Sequence, residues 1–134
     1  MVHETLSCLP GTPARTLITT TAGETVVAVS AELDLRSTDR LREVLADETA
    51  LRPLALIVDA TEVTFCSVSG LEVLTGAARA ADAAGVAFAV VAAGRAVLRP
   101  LRVLGLDREM RVVERLADAV EAGSAARNLA AEVG

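Results

Sequence analysis

Between Pro53 and Leu74 the chain reads PLALIVDATEVTFCSVSGLEVL, and this passage limits its possible folds more tightly than any other stretch. Leu54 to Val58 is a short run of apolar, mostly branched residues that follows a proline, the pattern of a strand buried on both faces. Asp59 and Glu62 read as bracketing a turn after that strand, Phe65 and Cys66 are apolar again, and Gly70-Leu71-Glu72-Val73-Leu74 opens a helical stripe. The serines between them, Ser67 and Ser69, therefore sit at a helix N-terminus. Free N–H groups and the helix dipole favour negative charge there, so the junction is a candidate site as well as a turn.

The flanking segments place this junction within an α/β pattern. Residues 1–14 contain Pro10-Gly11-Thr12-Pro13 and little periodicity, which predicts an irregular lead-in. Thr16 to Thr21 and Glu24 to Ser30 are β-branched runs separated by Ala22-Gly23, a hairpin signal. Ser37 is a candidate cap for a helix carrying Leu41, Val44, Leu45 and Leu51, which Pro53 stops. The next helix presents Leu71, Leu74, Ala78 and Ala81 and ends at Gly85, before a strand over Val86 to Val91. Arg95 to Leu104 reads as a helix that starts near Pro100 or bends there, Arg111-Val112-Val113 as a short strand, and Asp118 to Ala131 as an alanine-rich helix. Alternating strands and helices predict one α/β domain over 15–122. Its mixed four- to five-stranded sheet packs with helices, and residues 123–134 form a helix end or tail.

Composition excludes several functions. A chain of 134 residues with 52% hydrophobic content suits a single core. It has no lysine, which removes lysine-based phosphate binding, Schiff-base chemistry and a lysine general base. Trp and Tyr are absent and only Phe65 and Phe88 are aromatic, so bases have no stacking platform, and a net charge of −5 opposes direct binding to nucleic acid. No apolar run is long enough to span a bilayer, and Met1 to Pro10 lacks the features of a signal peptide, which predicts a cytoplasmic protein without membrane contact. Cys8 and Cys66 make neither a disulfide framework nor a metal-ligand pattern, and the one histidine, His3, lies in the lead-in. Cys66 reads either as a small buried hydrophobe or as a thiol whose oxidation alters the helix start.

The strand, the spacing from Asp59 to Phe65, the small polar cluster ending in Ser69-Gly70 and the L-x-x-L from Leu71 to Leu74 together resemble the STAS domain of bacterial anti-sigma factor antagonists. Ala31-Glu32-Leu33-Asp34 is similar to that family's G-E-L-D, Gly85-Val86 to the opening of its next strand, and Val97 to Leu106 to its V-x-x-x-L-x-x-x-G-L. The resemblance covers roughly residues 16 to 116, and it rests on order and spacing more than on any one motif. It implies an α/β binding module without a cofactor, whose partner is a kinase-type anti-sigma factor. The family's regulatory motif reads F-x-D-S-S/T-G, with the serine after the aspartate phosphorylated. Aligned on Phe65 and Gly70, Ser67 stands at the aspartate, Val68 at the phosphoacceptor and Ser69 at the second hydroxyl. The phosphorylation switch is therefore missing at its usual position and passes to Ser67, Ser69 or Thr64, or to another input, or is lost.

The resemblance also implies a contact surface of Asp34, Ser67, Val68, Ser69, Gly70, Glu72 and Thr75. Structural roles compete for the same residues. Ser69 with Glu72 fits a capping box worth roughly 1 kcal/mol, and Ser67 is the alternative cap. A nucleophile elbow is disfavoured, because Cys66 stands where a glycine belongs and no base is near in sequence, so no enzyme is expected. A STAS scaffold or sensor module outside any sigma-factor circuit is the alternative function. Self-association as a homodimer through the helix-start surface is open as well.

Overall fold

The computed structural model describes residues 2–6, 15–21, 23–33 and 35–121. Strands β2 (Arg15–Thr21) and β3 (Glu24–Leu33) form the expected hairpin, with Thr21 opposite Glu24 across a two-residue turn. From β3 the chain alternates helix and strand: α1 (Leu35–Ala50), β4 (Ala55–Cys66), α2 (Val68–Ala83), β5 (Ala87–Val91), α3 (Leu98–Val103), a 3-10 turn (Leu106–Arg108) and β6 (Arg111–Val113). Residues 116–121 are helical, and the remainder of the helix expected to Ala131 lies outside the described residues.

The sheet is mixed, as expected, but among the described residues it has six strands and not four to five. The additional strand is β1 (Val2–Leu6), antiparallel to β2 in a register that sets Val2 against Thr19 and Leu6 against Arg15. The lead-in is thus not irregular throughout. Its proline and glycine signals belong to residues 10–13, and a five-residue run before them carries too little periodicity to read as a strand. Strand order is β1 to β6 in sequence, antiparallel from β1 to β3 and parallel from β3 to β6.

Two apolar layers enclose the sheet. On one face Val27, Val29, Leu56, Val58 and Val90 pack against Leu41 and Leu45 of α1, Leu71 and Leu74 of α2, and Leu101 of α3. On the other, Ile57, Ala89 and Val91 meet Ala119 and Val120 of the 116–121 segment. Leu56, Val58 and Val90 are fully buried, which explains why the centre of the sheet reads as unbroken apolar runs.

The helix ends follow local chemistry. α2 stops in a Schellman arrangement: Gly85 takes a φ of 73° that disfavours a side chain, while the Gly85 and Val86 amides donate to Asp82 and Ala81 carbonyls. Pro100 lies in the first turn of α3, which begins at Leu98, and there its missing N–H leaves no bond unmade. Two expectations for α1 need correction. Ser37 lies inside the helix and is buried, so it is not the cap. Leu51 is 76% exposed, because the helix ends at Ala50 and Arg52 turns the chain with a φ of 51° before Pro53.

Candidate functional site

β4 runs straight through the residues that read as a turn. Val58 pairs with Val27 on one side and Val90 on the other, and β5 follows only as far as Asp59 opposite Val91. Beyond that point β4 keeps β3 as its neighbour and carries an extra residue twice, once between the pairs Ala28–Asp59 and Ser30–Glu62, and again between Ala31–Val63 and Glu32–Phe65. Each is a β-bulge, which bends the strand and re-aims its side chains. The consequence is visible in burial: Ala60, Val63 and Cys66 face inward at three-residue intervals, with exposed residues between them. Asp59 supports the first bulge by accepting from the Thr61 amide at 3.1 Å and the Thr61 hydroxyl at 2.8 Å.

At the end of β4 the Ser67 amide donates to the Leu33 carbonyl at 2.8 Å, which holds the start of α2 against the end of β3. Ser67 has extended φ and ψ of −75° and 170°, and its Oγ accepts from the Gly70 amide at 3.3 Å. Ser67 is therefore the N-cap of α2, and the capping box on Ser69 is not formed. Ser69 lies one turn-step inside the helix, with its Oγ 2.8 Å from Ser67 Oγ. Thr38 of α1, 1% exposed, donates to Ser69 Oγ at 3.5 Å. Three hydroxyls thus join the first turns of α1 and α2, a link that the sequence reading missed because Thr38 lies 31 residues away.

The expected contact residues divide into two groups. Val68 is 66% exposed at the first position of α2, Glu72 is exposed one turn later, and Ser67 and Ser69 on either side of Val68 are half-buried. Gly70 and Thr75, by contrast, are buried. A Cβ on Gly70 would stand 2.8 Å from Cys66 Sγ and 3.2 Å from Leu33 Cβ, and the Thr75 hydroxyl donates to the Leu71 carbonyl at 2.9 Å. Asp34 lies outside the described residues. Phe65, read as an apolar strand end, is 51% exposed, because the second bulge shifts it out of the buried register.

Cys66 Sγ is buried and donates to the Ser67 carbonyl at 3.6 Å, and burial pushes its thiol from 9.0 to about 11. Desolvation disfavours the thiolate, so the group is a packing element with little nucleophilic character at neutral pH. His3 sits on β1, three strands away from β4 in the sheet, and the described hydrogen bonds of the Ser67 and Ser69 hydroxyls are with each other, Thr38 and the Gly70 amide. Among the described residues no group of three or more His, Cys, Asp or Glu is placed to hold a metal ion, and no helix is long and apolar enough to cross a membrane.

The family model for the STAS domain matches residues 15–119. The chain belongs to the STAS domain family. The anti-sigma-F factor antagonist RsfB of Mycobacterium tuberculosis is 33% identical over 98 residues, which is 73% of this chain and 80% of RsfB. The crystal structure of an anti-sigma factor antagonist from Mycobacterium paratuberculosis superposes with a TM-score of 0.78 at 32% identity, covering 83% of this chain and 94% of that one. A putative anti-sigma factor antagonist from Thermotoga maritima has a TM-score of 0.74 at 18% identity, covering 80% and 92%, a likeness of fold alone. In this STAS domain the start of α2 carries the hydroxyls of Ser67 and Ser69 on either side of the exposed Val68.

Proposed function

We propose that this chain is an anti-sigma factor antagonist, which docks the start of α2 onto an anti-sigma factor and so frees a sigma factor. The geometry in support is the outward Val68 at the head of α2, held in place by the Ser67 cap and the hydrogen-bonded Ser69 and Thr38, in a chain one-third identical to a protein named as such an antagonist. The mechanism is competition. Occupying the anti-sigma factor lowers its free concentration, and the sigma factor is released by mass action. The site needs no chemistry of its own, and with a kinase-type partner ATP and magnesium belong to that partner. The protein acts in the cytoplasm, without nucleic-acid or membrane contact.

The usual phosphorylation switch is lost. Valine has no acceptor, Ser67 Oγ serves the cap, and Ser69 Oγ lies between Ser67 and the buried Thr38. A phosphoryl group on Ser69 would bring about −1.5 to −2 charges against α1 and separate the two helix starts.

The test is a binding screen of the purified chain against the anti-sigma factors of the source cell, followed by sigma-dependent transcription. Retention of an anti-sigma factor with restored transcription is expected. No retention under conditions where known pairs survive would replace antagonism by the scaffold or sensor function, and self-association in place of partner binding would indicate a homodimer. Val68→Asp should weaken partner binding by about 1 kcal/mol or more, since it puts an unpaired charge at the contact. Stoichiometric phosphate on Ser67 or Ser69, read by mass spectrometry after incubation with the partner and ATP, would overturn the lost switch.

A further inference from the structure

Phe65 and Val68 are exposed large hydrophobics, as Leu51, Val103 and Leu104 are elsewhere, but these two stand three residues apart at the junction of β4 and α2. The other phenylalanine, Phe88, packs against the main core, whereas Phe65 is 51% exposed and Val68 66% exposed three residues later. Full burial of side chains of this kind is worth about 1.5 to 3 kcal/mol each. The bulge between Ala31–Val63 and Glu32–Phe65 rotates Phe65 away from that gain, and the helix N-terminus carries Val68 outward in the same turn of chain. On either side of the pair Glu62 and Glu72 are exposed, and neither forms an ion pair among the described residues, in contrast to Glu43, Glu109 and Glu114. The exposed apolar pair thus has an acidic residue close on each side in sequence, Glu62 on the exposed half of β4 and Glu72 one turn into α2.

We propose that Phe65 and Val68 form a two-pronged apolar anchor. The anti-sigma factor receives it in an apolar recess bordered by arginine or lysine side chains that meet Glu62 and Glu72. This inference rests on the antagonist function and adds the chemistry of recognition. Aromatic and large apolar groups that become fully desolvated dominate the affinity of protein contacts, while flanking charges govern the rate of encounter. Valine in place of a serine is then a gain of apolar contact. A partner matched to this chain prefers Val68 to the hydroxyl of the family motif, which separates this pair from circuits that read a serine or its phosphate.

The test measures Kd and association rate for the full chain against each purified anti-sigma factor of the source cell. Phe65→Ser and Val68→Ser should each weaken the pair by about tenfold or more, chiefly through faster dissociation. Glu62→Gln with Glu72→Gln should slow association and flatten its salt dependence. Urea midpoints of the variants show that the fold is intact, and if Phe65→Ser fails to fold, Val68→Ser decides. Unchanged affinity in a folded serine variant overturns the anchor and leaves antagonism standing. Failure of the unaltered chain to bind any anti-sigma factor overturns both.

Discussion

The two halves of β4 show how one strand can serve opposite ends. Ala55 to Val58 has a strand on each side, helices on one face and the 116–121 segment on the other, and every residue is buried. From Thr61 to Cys66 the strand has one neighbour, two bulges behind or within it, and exposed side chains at four of six positions. The first half contributes to stability through burial. The second has given up part of that burial in order to aim Phe65 and the head of α2 outward. The proposed docking surface begins where pairing on the second side ends, at Asp59 opposite Val91.

The sharpest way to break this contrast is to truncate both halves. Leu56→Ala, at a fully buried position, should cost about 2 to 5 kcal/mol in urea unfolding, and Thr64→Ala, on the exposed half, no more than about 0.5. Similar costs at both positions would erase the distinction.

The boundary residue Cys66 offers a second measurement, through pH. Its native thiol is raised from 9.0 to about 11, so its contribution is complete below pH 9.0. Above that, the unfolded chain ionises while the native thiol does not, and stability falls by up to about 2 to 3 kcal/mol as pH approaches 11. The chain has no lysine or tyrosine to obscure this window. Urea midpoints from pH 8 to 10.5 should decline in the natural protein and stay flatter in Cys66→Ala. Equal slopes would show that the thiol is open to water.

Gly70→Ala should destabilise by about 1 to 3 kcal/mol, because the new methyl group would meet Cys66 Sγ at 2.8 Å and Leu33 Cβ at 3.2 Å. Part of that cost should disappear when Cys66 is also alanine, and strict additivity in the double-mutant cycle would deny the contact. Removing the cap with Ser67→Ala has the smallest cost among the buried or half-buried positions, about 1 kcal/mol. Thermal unfolding resolves it, and a null effect would transfer capping to another group.

Much of this architecture is legible in the residues. The hairpin, the buried strand from Ala55 although not Leu54, the α2 stripe through Leu71, Leu74, Ala78 and Ala81, the stop at Gly85 and the strand at Arg111–Val113 all follow from local pattern. Where the reading went astray, a local signal was overruled from a distance. Asp59 and Glu62 look like turn residues because polar residues in a strand require an open side, and only the end of β5 at Val91 supplies one. Leu51 satisfies helix periodicity, yet the helix has ended at Ala50 and the chain turns away at Arg52. Val2–Leu6 has no strong strand signal of its own and gains its ladder from β2.

The candidate site divides in the same manner. That hydroxyls stand at a helix start, with Val68 between them, is a matter of residue order and spacing, since capping chemistry and helix periodicity act over a few neighbours. Which serine caps, which residues face out and which neighbour supports them was decided by tertiary structure alone. The Thr38 link joins residues 31 apart, and the bulges that expose Phe65 and bury Cys66 exist only in the pairing of β4 with β3. A side chain's orientation in a bulged strand depends on the register of its partner, which no local pattern in this chain encodes.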